Sequence, residues 1–298
     1  MNEKITKAII PVAGKGTRFM PGTKGVSKEV FPVVDTPVLL YVLKECADSG
    51  ITEVLLITRK DKGDIKKFLT PDQKLYEELK RKGREGDLKL YNDVLSKLKI
   101  TYKYQRKDLI GTAGAIYVGK KWAKNQPFAV LYGDDLNYTQ EGARPAIGQL
   151  IDAFNKTGKM ILGCKEVETK EVCKYGACKI KEKIDENNYL VSGVVEKPKT
   201  GTEPSNLVSL ARYIMPANTF KVIETQIPLR KNNAEEVCLT DTMDIIMKQE
   251  GDAVACIMNS VRYDTGDKLG FLKTTVEYAL RDKKLGEEFK AYLKTLKL

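Results

Sequence analysis

Residues 11 to 37, PVAGKGTRFMPGTKGVSKEVFPVVDTP, put two glycines, a threonine, an arginine and a lysine directly after a short apolar run. Backbone N–H groups around Gly14, Gly16 and Thr17 can wrap a string of phosphates, and Arg18 and Lys28 carry the charge to neutralise it. The bland alternative is a tight turn with two solvated cations. Two other phosphate loops fail on spacing. A Walker A loop needs a hydroxyl residue where Gly16 stands and its first glycine where Ile9 stands. A dinucleotide loop wants glycine three positions after Gly16, where this chain has Phe19. A second signal is LYGDDLNY, residues 131 to 138, which sets Asp134 at the carboxyl end of a buried run, where open α/β sheets bind ligands. Taken alone, Asp134 equally suits a turn carboxylate that caps the next element. The chain has no histidine, so imidazole bases, Ser-His and Cys-His pairs and histidine-bound zinc are excluded. Nucleotidyl and phosphoryl transfer tolerate that loss, because their catalysis is mostly positioning and charge neutralisation.

Set side by side, these pieces resemble the sugar nucleotidylyltransferase family, whose signature is G-x-G-T-R, then P-K, then P-x-x-D-x-P. Here the same pieces read Gly14, Gly16, Thr17, Arg18, Ser27, Lys28, Pro32, Asp35 and Pro37, with serine where many members carry proline. The resemblance runs nearly the whole length and is nearest to bacterial UTP:glucose-1-phosphate uridylyltransferases. Later blocks carry it further: VVEKPKTGTEPSNLVSLARYI from 194, EVCLTDTMDIIM from 236 and VRYDTGDKLGFLKTTVEYALRD from 261. It implies a reversible, Mg2+-dependent transfer of a uridylyl group from UTP to glucose 1-phosphate. Arg18, Lys28 and Lys197 would be catalytic. Ala13, Gly14, Gly16, Thr17, Glu29, Gln105 and Gly111 would bind the nucleotide. Tyr175, Gly176, Glu196, Lys197 and Asn206 would bind the sugar phosphate, and Asp134 with Asp264 would hold the metal. Without the resemblance, Asp264 reads as a helix N-cap beside Gly266.

The chain departs from the pattern in places. GTAGAIYVG, residues 111 to 119, replaces a G-L-G-x-A form, Gln105 lies six rather than five residues before Gly111, and Cys238 stands at a commonly polar position. The same reaction with dTTP, GTP or ATP, or with N-acetylglucosamine or mannose 1-phosphate, therefore stays open, as does a non-catalytic nucleotide-sugar sensor.

The elements that must hold these residues read as α/β: a Rossmann-like, mostly parallel sheet flanked by helices, with a smaller β-rich sugar-side part and C-terminal helices. Strands are predicted at 7–13, 53–58, 128–132 and 160–163, and helices at 38–49, 114–123 and 145–157. Residues 59 to 100 read as inserted helices, 174 to 213 as hairpins, and 268 onward as helices that pack or self-associate. One domain, 1–298, is expected, with a nucleotide-binding core at 1–165, a sugar-binding part at 166–260 and a metal-ligand segment with helices at 261–298.

Composition narrows the partners. A net charge of +11 favours anions, but the basic stretch at Lys66, Lys67, Lys80, Arg81, Lys82 and Arg84 lacks interleaved aromatics and reads as a solvated helix face rather than a nucleic-acid groove. Six scattered cysteines, with no close C-x-x-C pair, suggest free thiols in a reducing cytoplasm. No membrane span is expected; a homodimer or homotetramer is.

Overall fold

Short apolar runs rich in Val, Ile and Leu form the central strands, because a strand covered on both faces has no polar side to offer water. The computed structural model describes residues 4–232 and 235–297. Its strands are β1 (Lys7–Pro11), β2 (Pro32–Val33), β3 (Thr36–Pro37), β4 (Glu53–Thr58), β5 (Lys99–Tyr104), β6 (Phe128–Leu131), β7 (Asp135–Tyr138), β8 (Ile161–Glu166), β9 (Gly176–Lys183), β10 (Asn188–Glu196), β11 (Leu207–Met215), β12 (Ala253–Ile257) and β13 (Val261–Asp264). Nine of them form one sheet in the order β5-β4-β1-β6-β11-β8-β12-β10-β9. β5, β4, β1 and β6 run parallel, as do β8 and β12. β11 opposes both β6 and β8, and β10 opposes both β12 and β9. The sheet is thus parallel apart from two reversed strands, as the alternation of strands and helices predicts.

Alternate residues of β1 go to opposite faces: Ala8 and Ile10 join one apolar core, Ile9 the other. The first core takes in the helix Val38–Asp48 and the helix Ala146–Thr157. The second takes in the helices Thr112–Tyr117, Thr219–Gln226 and Leu239–Glu250. Helices on both faces leave the carboxyl ends of β1, β4 and β6 as the open edge where a ligand can sit.

Two sequence expectations need correction. Residues 59–100 do form the helices Gly63–Phe68, Gln73–Arg81 and Lys89–Leu95, but the segment ends in β5, which begins at Lys99. KITYKY is an edge strand with half-exposed side chains, so it lacks the apolar run that marks the central strands. The helix expected at 114–123 is two short pieces, Thr112–Tyr117 and Lys120–Ala123.

The hairpin of β9 and β10 closes back on the main sheet, where Val208 and Ser209 of β11 pair with Ala177 and Gly176. β7 and β13 form a separate antiparallel ribbon in which Asp264 faces Asp135. Since β7 follows β6 after three residues, this ribbon brings the far end of the chain to the open edge of the sheet. Among the described residues no helix is long and apolar enough to cross a membrane, and all six cysteines are free.

Candidate active site

The glycine loop leaves β1 at Val12, whose N–H donates to the carbonyl of Ile57. Gly16 has φ +65, and a Cβ there would lie 2.9 Å from Thr23 Cγ2. Both facts demand glycine. The Thr23 hydroxyl donates to the Gly16 carbonyl at 2.7 Å and pins the turn. Lys62 fixes the loop from below: its ammonium donates to the Val12 carbonyl at 2.9 Å and to Glu29 Oε2 at 2.8 Å. Burial pushes the Glu29 carboxyl up, against the pull of Lys62 and Lys28. Glu29 thus meets the Lys62 ammonium on the wall of the loop.

Beyond the loop opens a cavity of about 1360 Å³, lined by Ala13, Gly14, Lys28, Glu29, Gln105, Gly111 and Asp134 among others. All seven are among the site residues expected from the sequence. Lys15, Arg59, Lys60, Arg106 and Lys107 add positive charge to the walls, and Tyr104, Ile110, Ala115 and Tyr132 add apolar surface. Gln105 donates from Nε2 to the carbonyls of Leu109 and Gly111, both at 3.2 Å. A second, smaller cleft of about 220 Å³ shares Lys15, Lys28, Arg59 and Asp61 with the first and adds Thr17, Lys24 and Lys62. Arg18 lines neither; it is exposed on the short helical turn Thr17–Phe19.

Asp134 and Asp264 converge. A Cβ on Gly266 would stand 2.9 Å from Oδ2 of Asp134 and 2.9 Å from Oδ1 of Asp264, so the two oxygens flank one point. Thr265 holds the Asp134 carbonyl through both its N–H and its hydroxyl, at 3.1 and 2.7 Å. The Gly266 N–H donates to Asp264 Oδ1 at 2.8 Å. Asp264 is no helix cap: the following helix Lys268–Arg281 is capped by Asp267, which accepts the Gly270 N–H. The ammonium of Lys28 is ion-paired with Asp134. Burial lowers the Lys28 pKa, but Asp134, Glu29 and Asp264 outweigh it and hold the ammonium above its ordinary range.

Two hard oxygen donors around one point fit a small divalent cation that draws its remaining ligands from phosphates and water. Among the described residues no group of three or more His, Cys, Asp or Glu offers a complete cage. Gly266→Ala would wedge a methyl between the two carboxylates. The concentration of divalent cation giving half-maximal activity should rise about tenfold or more, the scale of losses around metal ligands; a metal titration of the rate checks it.

Four of the five expected sugar-phosphate residues lie together. Gly176 pairs with Glu196 across β9 and β10, and the Lys197 N–H donates to the Tyr175 carbonyl at 2.9 Å. Lys197 has φ +43, an uncommon backbone for a lysine, and its side chain is exposed. Asn206 stands just before β11, its carbonyl accepting the Val167 N–H and its side chain accepting from Thr169.

The comparisons with known proteins bear on this arrangement. The nucleotidyl transferase family profile matches residues 7–280. The chain belongs to the nucleotidyl transferase family. It is 37% identical over 294 residues, 99% of each chain, to a UTP--glucose-1-phosphate uridylyltransferase of Staphylococcus epidermidis. It is also 37% identical over 301 residues, again 99% of each, to UTP--glucose-1-phosphate uridylyltransferase 2 of Staphylococcus saprophyticus. Among solved structures, UTP-bound UGPase from Acinetobacter baumannii superposes with a TM-score of 0.87 at 30% identity, covering 98% of this chain and 100% of that one. A UDP-glucose pyrophosphorylase complexed with UDP-glucose gives a TM-score of 0.82 at 28% identity, covering 93% and 100%.

One departure of this nucleotidyl transferase from the signature it resembles, serine in place of proline at 27, has a local explanation. Ser27 replaces proline, and the N–H that proline lacks donates to Asp64 Oδ2 at 2.5 Å while its hydroxyl donates to Oδ1 at 2.8 Å. Side-chain hydrogen bonding thus restrains the segment that proline would stiffen covalently.

Proposed function

We propose that this nucleotidyl transferase joins UTP and glucose 1-phosphate to give UDP-glucose and pyrophosphate, with Mg2+ held by Asp134 and Asp264. The observation that carries this reading is the meeting of those two carboxylates at one point, against Lys28 and the wall of a large cationic cavity. Full-length similarity to UTP--glucose-1-phosphate uridylyltransferases supports the choice of base and sugar.

The loop amides, Lys28 and Lys15 bind the triphosphate. Arg18 adds charge from the exposed side of the loop. Gln105, with its amide nitrogen engaged by two carbonyls, supplies Oε1 as the acceptor for the imide N–H of uracil. Glu196 takes sugar hydroxyls and Lys197 takes the sugar phosphate, one oxygen of which attacks the α-phosphorus in line. Bound magnesium supplies positive charge that offsets repulsion between the two phosphates. A phosphate oxygen is already ionised at pH 7, so the chain needs no general base, in keeping with its lack of histidine. The thiols, all free, suit the cytoplasm.

The test is pyrophosphate release with magnesium, each of the four common triphosphates and a panel of sugar 1-phosphates. Release confined to UTP with glucose 1-phosphate is expected. Release with no pair would leave a sensor, and equal rates with dTTP would overturn the base assignment. Lys197→Ala should raise KM for glucose 1-phosphate about 10- to 100-fold, the worth of a charge-assisted hydrogen bond, with KM for UTP within about twofold. Steady-state kinetics in both substrates check it.

We also infer self-association through the C-terminal helices, where Leu269, Leu272, Val276 and Leu280 form an exposed stripe at helical spacing. Sedimentation velocity should show a dimer or larger species, and Leu272→Glu should shift it toward monomer.

A further inference from the structure

We propose that Arg262 is a positioning residue that ties Asp264 to the sugar-phosphate subsite through the ring of Tyr175. The proposal rests on the functional reading above and adds a residue that neither the motifs nor the substrate assignments call for.

Arg262 lies on β13, in the two-stranded ribbon, whereas Tyr175 precedes β9, which pairs with β10 and β11 of the main sheet. Its guanidinium nevertheless reaches three groups. Nε and Nη2 each lie 2.6 Å from Asp135 Oδ2. Nη2 lies 3.6 Å from Asp264 Oδ2. The guanidinium carbon sits 5.7 Å from the centroid of the Tyr175 ring. A guanidinium can hydrogen-bond one carboxylate, pair with a second and lie over an aromatic ring at once, which the compact ammonium of a lysine does less well.

What lies behind Tyr175 gives the contact its meaning. The Tyr175 carbonyl holds the Lys197 N–H, and Gly176 next to it pairs with Glu196. Arg262 therefore links a carboxylate that would hold the metal to the backbone carrying both sugar-phosphate groups. In-line attack requires the nucleophile within an ångström or so of its place, and small misplacements cost orders of magnitude in rate.

A purely structural role is separable from this one. Asp135 also has Arg212 beside it, with Nη1 3.8 Å from Oδ1, so a lysine at 262 leaves that buried carboxylate charge-paired. What Arg262→Lys loses is the simultaneous grip on Asp264 and Tyr175.

The experiment compares Arg262→Lys, Tyr175→Leu, Tyr175→Phe and the Arg262→Lys/Tyr175→Leu double variant. Arg262→Lys and Tyr175→Leu should each raise KM for glucose 1-phosphate, and its calorimetric Kd on the magnesium-loaded protein, about tenfold, with KM for UTP within about twofold. The double variant should lose no more than either single one. Tyr175→Phe, which keeps the ring face, should recover most of what Tyr175→Leu loses. Mn2+ titration followed by electron paramagnetic resonance should show weaker binding in Arg262→Lys and not in Tyr175→Leu.

Losses that add in the double variant, or constants within about twofold of the parent in Arg262→Lys, would overturn the proposal. So would a uniform shift of every constant in step with a lowered Tm. Should Arg262→Lys fail to fold, an unchanged KM in Tyr175→Leu overturns it alone. If the parent releases no pyrophosphate from UTP and glucose 1-phosphate, the functional reading fails. The Mn2+ titration then still decides whether Arg262 supports Asp264.

Discussion

Asp134→Asn and Asp264→Asn should each cut kcat for pyrophosphate release at least about a hundredfold to a thousandfold, the range for removing one preorganised charge-stabilising group. Asparagine keeps the size and one oxygen of the carboxylate but not its charge, so a loss reports the charge itself. The surrounding structure should survive. Thr265 grips the main-chain carbonyl of Asp134 rather than its side chain. The Gly266 N–H can still donate to the amide oxygen of an asparagine at 264, and the helix that follows is capped independently by Asp267. Lys28 loses its partner in Asp134→Asn, but that pair is partly exposed, with side chains 16% and 27% accessible. Its loss should cost no more than about 1 kcal/mol. Circular dichroism and Tm check the fold, and coupled pyrophosphate detection checks the rate. Turnover within about tenfold of the parent in both variants would remove these residues from the reaction.

The framework was readable because its signals are local. Buried strands β1, β4, β6 and β8 show as unbroken apolar runs, and Gly50, with φ +84, ends the segment behind the first helix as the sequence suggests. β5 went unread because an edge strand mixes lysine and tyrosine with its apolar residues. At the site, Gly14, Lys28, Gly111 and Asp134 were reached through the family motifs and Gln105 through the same resemblance despite a spacing one residue off, and they share one cavity. Lys62 and Arg262 were not singled out. Lys62 lies inside a charged stretch where one lysine resembles the next, and only the tertiary fold brings it under Val12 and Glu29. Arg262 did carry a signal, two residues before Asp264, but nothing in the sequence says that its neighbours include Tyr175. The N-cap reading of Asp264 was a near miss of three residues, because Asp264, which ends β13, and Asp267, which caps the helix, lie on either side of Gly266 just before that helix. Arg18 shows the opposite limit: spacing locates a cation on the loop, and the loop then turns it toward solvent.

Arg212→Met should destabilise the protein by about 3–5 kcal/mol, the scale for breaking one partner out of a buried ion pair. Arg212 is fully buried on β11, at the centre of the sheet. Its Nε and Nη2 bond the Glu45 carboxylate at 2.7–3.1 Å, and Nη2 also donates to the Asp135 carbonyl at 2.7 Å. Glu45 in turn accepts the Ile147 N–H at 2.9 Å, near the start of the helix Ala146–Thr157. One guanidinium thus joins the central strand, two helices and the residue beside Asp134. Methionine fills similar space with no charge, leaving Glu45 buried without its cation. Replacing both partners removes that uncompensated charge, so Arg212→Met/Glu45→Met should recover most of the loss. Urea unfolding measures both variants. A single variant within about 1 kcal/mol of the parent, or a double variant less stable than the single, would show that the pair does not hold the sheet together. Recovered stability without recovered turnover would show a separate role: the grip of Arg212 on the Asp135 carbonyl sets the path of the chain beside Asp134, and methionine cannot reproduce it.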